Sequence, residues 1–169
     1  MKTLELLAPA KNLECGIAAI QHGADAVYIG APRFGARSAA GNSLEDIKQL
    51  CDYAHQYEAK VHVTINTIIY DDELEDTLKM IAELDKIGVD AILLQDMGVL
   101  SEIRANNAWF RELHASTQCD TRTPEKAEWL RNQGFCRVVL ARELSLEEIK
   151  AVADKNPGLA LEVFVHGAL

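Results

Sequence analysis

Seven short apolar runs, each but the last followed by a stretch with apolar residues at helical spacing, restrict this 169-residue chain to an alternating β/α fold. The runs Leu4–Ala10, Ala26–Gly30, Lys60–Asn66, Ala91–Asp96, Glu112–Thr117, Arg137–Arg142 and Leu161–Gly167 read as strands. Leu13–His22, Leu44–Tyr57, Asp71–Ile87, Met97–Ala105, Pro124–Gln133 and Ser145–Asp154 read as helices. Ser43, Thr123 and Ser145 each stand before early acidic residues, the pattern of a hydroxyl cap at a positive helix end. Asp71 and Asp72 likewise open the third helix, and Gly23, Gly88 and Gly134 fall just past three helices, where a left-handed residue commonly ends the turn. Strand starts recur every ~21 to 35 residues, close to the ~30 per unit of an eight-fold barrel.

Alternation within the strands separates a barrel from an open doubly wound sheet. Central strands of an open sheet are apolar on both faces, whereas here one parity is polar. His62, Thr64 and Asn66 alternate with Val61, Val63 and Ile65; His114, Ser116 and Gln118 alternate with Leu113, Ala115 and Thr117. Glu162, Phe164 and His166 alternate with Val163, Val165 and Gly167. The apolar parity is expected to face helices and the polar parity a barrel interior. The turn after the first strand, Pro9-Ala10-Lys11-Asn12, lacks the glycine pattern of a dinucleotide site. The expected fold is therefore α/β, a parallel (β/α) TIM-type barrel, as a single domain over residues 1–169. Seven strands do not close an eight-stranded barrel, so the chain reads as incomplete, with a C-terminal remainder absent. Uncovered apolar and strand-edge surface would then favour self-association of the fragment.

Composition narrows the partners. A 49% hydrophobic content supplies one core, and no apolar run approaches the ~20 residues that cross a bilayer, so no membrane partner is expected and the cytoplasm is the default location. A formal net charge of -9 opposes nonspecific attraction to polyphosphate, though a local arginine cluster can still hold an anion in an acidic protein. Cys15, Cys51, Cys119 and Cys136 are scattered and lack metal-finger spacing, so no metal site is expected from them.

In a TIM-type barrel the chemistry gathers where strands end and βα loops begin. Arg33 and Arg37 in the long second loop are candidate clamps for a carboxylate or phosphate; Arg142 after the sixth strand either serves the same anion site or pairs locally with Glu143, and both are substrate-binding candidates. Asn66, Gln95, Asp96 and Gln118 place amides and a carboxylate at strand ends, suited to orienting a planar polar ligand. Glu162 and His166 share a strand face, a candidate acid-base pair. His114 and Ser116 are further substrate-binding candidates; they could also be read as base and nucleophile, but neighbours two apart on one strand do not of themselves reach each other.

Several of these segments resemble a known family. They are Leu6-Leu7-Ala8-Pro9-Ala10, Gly23-Ala24-Asp25-Ala26-Val27-Tyr28-Ile29-Gly30, Phe34-Gly35-Ala36-Arg37, Gln95-Asp96, His114-Ala115-Ser116-Thr117-Gln118, Leu140-Ala141-Arg142-Glu143-Leu144 and Glu162-Val163-Phe164-Val165-His166-Gly167-Ala168-Leu169. Together, in this order, they resemble the U32 peptidase family of collagenase-like proteases. The last segment is similar to the opening of the family signature, which continues with a cysteine. The resemblance implies an enzyme whose better-understood relatives hydroxylate tRNA, rRNA or quinone precursors without oxygen, with prephenate as hydroxyl source in the RNA cases. It also implies an iron-sulfur cluster on four cysteines, none of which matches Cys15, Cys51, Cys119 or Cys136; the fragment alone is therefore expected to lack the cluster and to be inactive. Proteolysis and noncatalytic ligand binding are the alternatives. Lys11 departs from the glycine that relatives often carry there.

Overall fold

The computed structural model describes residues 4–33, 42–107, 109 and 111–166. Strands and helices alternate through them: β1 (Leu7–Ala10), α1 (Leu13–Gln21), β2 (Ala26–Gly30), α2 (Leu44–His55), β3 (Lys60–Ile65), α3 (Leu74–Ile87), β4 (Ala91–Leu94), α4 (Met97–Asn106), β5 (Glu112–Ala115), α5 (Pro124–Asn132), β6 (Arg137–Val139), α6 (Leu146–Lys155) and β7 (Ala160–Glu162). The fold is α/β, an incomplete parallel TIM-type barrel of seven strands and six helices. The chain divides into two compact units, Met1–Arg111 and Glu112–Leu169. In the first, β1 to β4 pair in sequence order, all parallel, with Tyr28 opposite His62 and His62 opposite Ala91. In the second, β5, β6 and β7 do the same, with His114 opposite Arg137 and Arg137 opposite Ala160.

One turn recurs where α1, α2, α3, α5 and α6 hand over to the next strand. Gly23, Glu58, Gly88, Gly134 and Gly158 all have positive φ. The residue after each, Ala24, Ala59, Val89, Phe135 and Leu159, is buried. Ala24, Ala59, Val89 and Phe135 also donate their N–H groups to the carbonyls of Ala19, Ala54, Leu84 and Leu130, five residues back, which satisfies helix-end acceptors. The next residue along, Asp25, Lys60, Asp90, Cys136 or Ala160, donates its N–H to the preceding strand or its approach, at Leu6, Asp25, Val61, Leu113 and Cys136 respectively. Each helix end thus sets the register of the strand that follows. Two of these positions add a side-chain lock: Asp25 Oδ2 accepts from Leu6 N at 2.7 Å, and Asp90 Oδ2 accepts from Val61 N at 2.8 Å.

At the other helix ends the expected caps form. Ser43 and Ser145 make capping boxes with Asp46 and Glu148, and Thr123 accepts from Lys126 N. Asn12 and Asp96 cap α1 and α4. The third helix begins at Leu74 rather than Asp71, because Tyr70 and Glu73 close a turn first: Glu73 N donates to Tyr70 O, and Tyr70 N donates to Glu73 Oε2 at 3.1 Å. Strands also end earlier than their apolar runs, leaving Asn66, Gln95 and Asp96, Ser116 and Thr117, Leu140 to Arg142, and Val163 to His166 outside them.

In the first unit the core is built from Ile29, Ile47, Leu50, Ile65, Ile81, Leu84, Ile92, Leu94 and Ile103, all essentially inaccessible. Gly16 lets α1 and α2 approach, since a Cβ there would lie 2.7 Å from a Leu50 methyl. Phe135, Leu130 and Leu140 play the core role in the second unit. The polar parity is not solvent-lined: His62, His114 and Ser116 are buried as deeply as their apolar neighbours, as expected where barrel strands pack inward side chains in layers.

Gly88 ends the longest helix at φ 97°. Gly88→Ala is expected to cost about 1–2 kcal/mol, since an L-residue must enter the left-handed region there. A urea midpoint no lower than that of the parent would refute this account of the turn.

Candidate functional site

The rim residues of the first unit divide into structural and available groups. Asp96 is structural: Oδ1 accepts from Val99 N at 3.0 Å to cap α4, and Oδ2 accepts from Ile69 N at 3.2 Å to pin the loop after β3. Both oxygens of this predicted binding carboxylate already have backbone partners. Gln95, its neighbour in sequence, and Asn66, just past β3, are partly accessible. Buried Asn42 donates from Nδ2 to the carbonyls of Lys11 and Gly30, tying the loop after β1 to the end of β2. Sequence reading passed over Asn42, whose only signal was its place directly before a helix cap.

Arg33 is exposed, with Nη1 3.8 Å from Asp76 Oδ2. It lines an open cleft of about 610 Å³ with Pro32, Ser43, Leu44, Glu45, Asp76 and Met80. Asp76 competes with any anion for this guanidinium. The predicted second member of the clamp, Arg37, lies outside the described residues.

In the second unit Arg142, one of the predicted clamp arginines, lies over an aromatic ring. Its guanidinium carbon lies 4.5 Å from the centroid of the Phe164 ring, which braces the long side chain without neutralising it. The adjacent Glu143 turns elsewhere, to Arg122 Nη2 at 3.4 Å, while Arg122 Nε also binds Asp120 Oδ1 at 2.6 Å. Phe164 and Arg122 were not foreseen as site residues; no short-range pattern marks a ring that meets a side chain 22 positions away.

Ser116 is buried, and its Oγ accepts from Gln118 N at 3.2 Å, forming the cap of a short 3-10 turn, Thr117–Cys119. Gln118 is exposed. His114 Nε2 lies 3.0 Å from Glu112 Oε2, so the imidazole faces the start of its own strand rather than Ser116. Glu162 and His166 do not share a strand, because β7 ends at Glu162 and His166 lies in an exposed bend. Glu162 Oε2 lies 3.7 Å from Arg137 Nη1, with both side chains mostly buried. The backbone leaves the ladder after Glu162, so alternation no longer fixes where His166 points.

The thiols were tested against an iron-sulfur cluster. Among the described residues the group of candidate metal ligands that lies together is Glu112, His114 and Cys136, which contains a single cysteine. The described residues therefore do not supply a four-thiolate cluster, and no chemistry of this chain is routed through one. Cys51 is buried in α2, and burial, with Asp90 next in effect, pushes its pKa up to about 12. Burial also raises Cys119 and Cys136.

Residues 11–169 match the model of peptidase family U32. The chain is 53% identical over 166 residues to the 23S rRNA 5-hydroxycytidine synthase of Escherichia coli (strain K12), an alignment covering 98% of this chain and 25% of that protein. It is 38% identical over 174 residues to tRNA hydroxylation protein P1 of Bacillus subtilis (strain 168), covering 99% of this chain and 40% of that protein. The chain thus spans a quarter to two fifths of these relatives. A solved structure of a U32 peptidase superposes with a TM-score of 0.71 at 14% identity, covering 96% of this chain and 68% of that one, and this shows the shared fold. Among the described residues no helix is long and apolar enough to cross a membrane.

Two measurements separate structure from binding. Asp96→Ala should cost about 1–2 kcal/mol through the lost cap, whereas Gln95→Ala should stay within about 0.5 kcal/mol; equal effects in denaturant melts would contradict the assignment. Native thiol labelling at pH 8, read by peptide mass spectrometry, should modify exposed Cys15 and spare Cys51 until the chain is unfolded.

Proposed function

The chain belongs to peptidase family U32, and from that membership we propose that it forms the N-terminal barrel portion of an enzyme that hydroxylates tRNA or rRNA without molecular oxygen, taking the hydroxyl group from prephenate. The observation that carries this reading is the 53% identity, across 98% of the chain, to a 23S rRNA 5-hydroxycytidine synthase. The similarity to a tRNA hydroxylation protein supports RNA as the substrate class.

The residue roles follow from chemistry. Prephenate carries two carboxylates, and Arg142, braced by Phe164, offers the fixed guanidinium that one of them needs. Arg33 would have to give up Asp76 to serve the same purpose, with Arg37 as the further candidate. The amides of Asn66, Gln95 and Gln118 can each donate and accept, which suits the edge of an unstacked base. Glu162 and His166 are the proposed proton-handling groups; His166 is the accessible one, and Glu162 is positioned by Arg137. The iron-sulfur cluster of the proposed parent is assigned to cysteines beyond residue 169. With a net charge of -9, RNA contact would depend on local arginines rather than on the whole field. The cytoplasm, where tRNA and rRNA are modified, is the proposed location.

Peptide hydrolysis is the second reading, favoured by the family's name and by the solved U32 peptidase of the same fold. It would need an activated nucleophile. Ser116 is a poor candidate, because it is buried with its Oγ engaged and the His114 ring turned to Glu112.

The test is nucleoside mass spectrometry of total tRNA and rRNA from cells with and without the full-length gene. The expected result is loss of a one-oxygen mass increment at a single nucleoside, and reduction of that increment in cells carrying the Arg142→Ala parent. In assays with prephenate, the same variant should weaken kcat/KM roughly 10- to 100-fold, the worth of one charge-assisted contact. Unchanged nucleosides throughout would overturn the RNA reading and move peptide and quinone-precursor substrates ahead.

A further inference from the structure

We propose that Glu112, His114 and Cys136 form a binding site for a zinc-class divalent cation at the N-terminal ends of β5 and β6. This is the opposite end of the strands from the arginine and amide residues discussed above, and the proposal is independent of them. Three ligand atoms of different chemistry, a carboxylate oxygen, an imidazole nitrogen and a thiol sulfur, all lie within 4.8 Å of one another. His114 Nε2 and Glu112 Oε2 are 3.0 Å apart, and Cys136 Sγ is 4.0 Å from the same oxygen. Around a tetrahedral zinc with bonds of about 2.0–2.3 Å, neighbouring ligand atoms lie roughly 3.3–3.6 Å apart. The cluster reaches that spacing with side-chain shifts of about 1 Å, and three protein ligands leave a fourth position for water.

The backbone holds the ligands independently of any ion. Glu112 and His114 stand two apart on β5 and so project to the same side. Cys136 is anchored to the same strand because its N–H donates to Leu113 O. Cys136 also occupies the turn position that holds Asp25 and Asp90 in the first unit, where those carboxylates lock a strand's backbone N–H. Here the side chain is a thiol, and the sulfur lies near Glu112 instead. His114 is fully buried while Cys136 is exposed, which gives a rigid inner ligand and an open approach from solvent.

Donor chemistry selects the ion. Magnesium and calcium want oxygen ligands in larger sets, whereas a mixed sulfur, nitrogen and oxygen triad suits zinc or cobalt. On binding, the Cys136 S–H bond breaks, its proton passes to water and a sulfur–metal bond forms. His114 would bind as the neutral tautomer protonated on Nδ1, so that the Nε2 lone pair meets the cation. The bound ion would cross-link the starts of β5 and β6, on the side of a barrel associated with stability rather than catalysis.

Cobalt(II) titration of the metal-free protein supplies the test. One cobalt per chain is expected, with a near-ultraviolet thiolate-to-metal charge-transfer band and visible bands of tetrahedral intensity. Zinc should displace the cobalt and abolish the bands. Cys136→Ser should remove the charge-transfer band, and Glu112→Gln should weaken binding about tenfold or more. Cys15→Ser, away from the cluster, should change neither, and far-ultraviolet circular dichroism would confirm that each variant folds. Absence of the charge-transfer band in the parent, or its persistence at unchanged affinity in folded Cys136→Ser, overturns the proposal.

Discussion

A helix that runs back beside a parallel strand must end with its last carbonyls satisfied and must release the chain at one fixed register. In this protein a single hydrogen-bonded turn meets both demands. A left-handed residue stops the helix, a buried apolar residue follows, and the next amide joins the strand already in place. A shift of one residue there would send every side chain of the new strand to the wrong face. The layering of His62 and His114 among apolar neighbours, and the placement of every residue at the far strand ends, depends on that registration.

At the strand C-termini the polar side chains serve two competing purposes. Asp96 and Ser116 look like ligand-binding groups because they are polar and sit at a rim, yet their oxygens satisfy the first amides of the next element. Asn42 does comparable work on backbone carbonyls. Gln95 in the first unit and Gln118 in the second keep accessible side chains, and the Arg142 guanidinium lies against Phe164.

Much of the architecture was legible because it is written in local periodicity. The seven strands, six helices, hydroxyl caps and left-handed glycines follow from patterns a few residues long. Polar parity correctly separated a barrel from an open sheet, but it did not reveal that His62, His114 and Ser116 would be buried. The late start of α3 escaped notice because Glu73 closes a turn with Tyr70, and acidic residues mark turns and helix starts alike. Pairings such as Arg142 with Phe164, Arg122 with Glu143, and Arg137 with Glu162 join residues on different elements, and sequence spacing says nothing of them. Glu162 and His166 were grouped by extending alternation past the point where the strand stops.

The recurrent return turn also makes the two ends of the strands unequal in their tolerance of change. Where helix passes to strand, the path is three to five residues long, and at five of the six the turn is hydrogen-bonded to the helix end or to the preceding strand, so an added residue would break it. Where strand passes to helix, lengths already differ widely, from two residues between β1 and α1 to thirteen between β2 and α2. Drift in chain length is therefore channelled to the C-terminal ends of the strands. A scaffold of this kind can acquire new recognition loops while its register stays fixed, which suits a lineage whose relatives act on different RNAs.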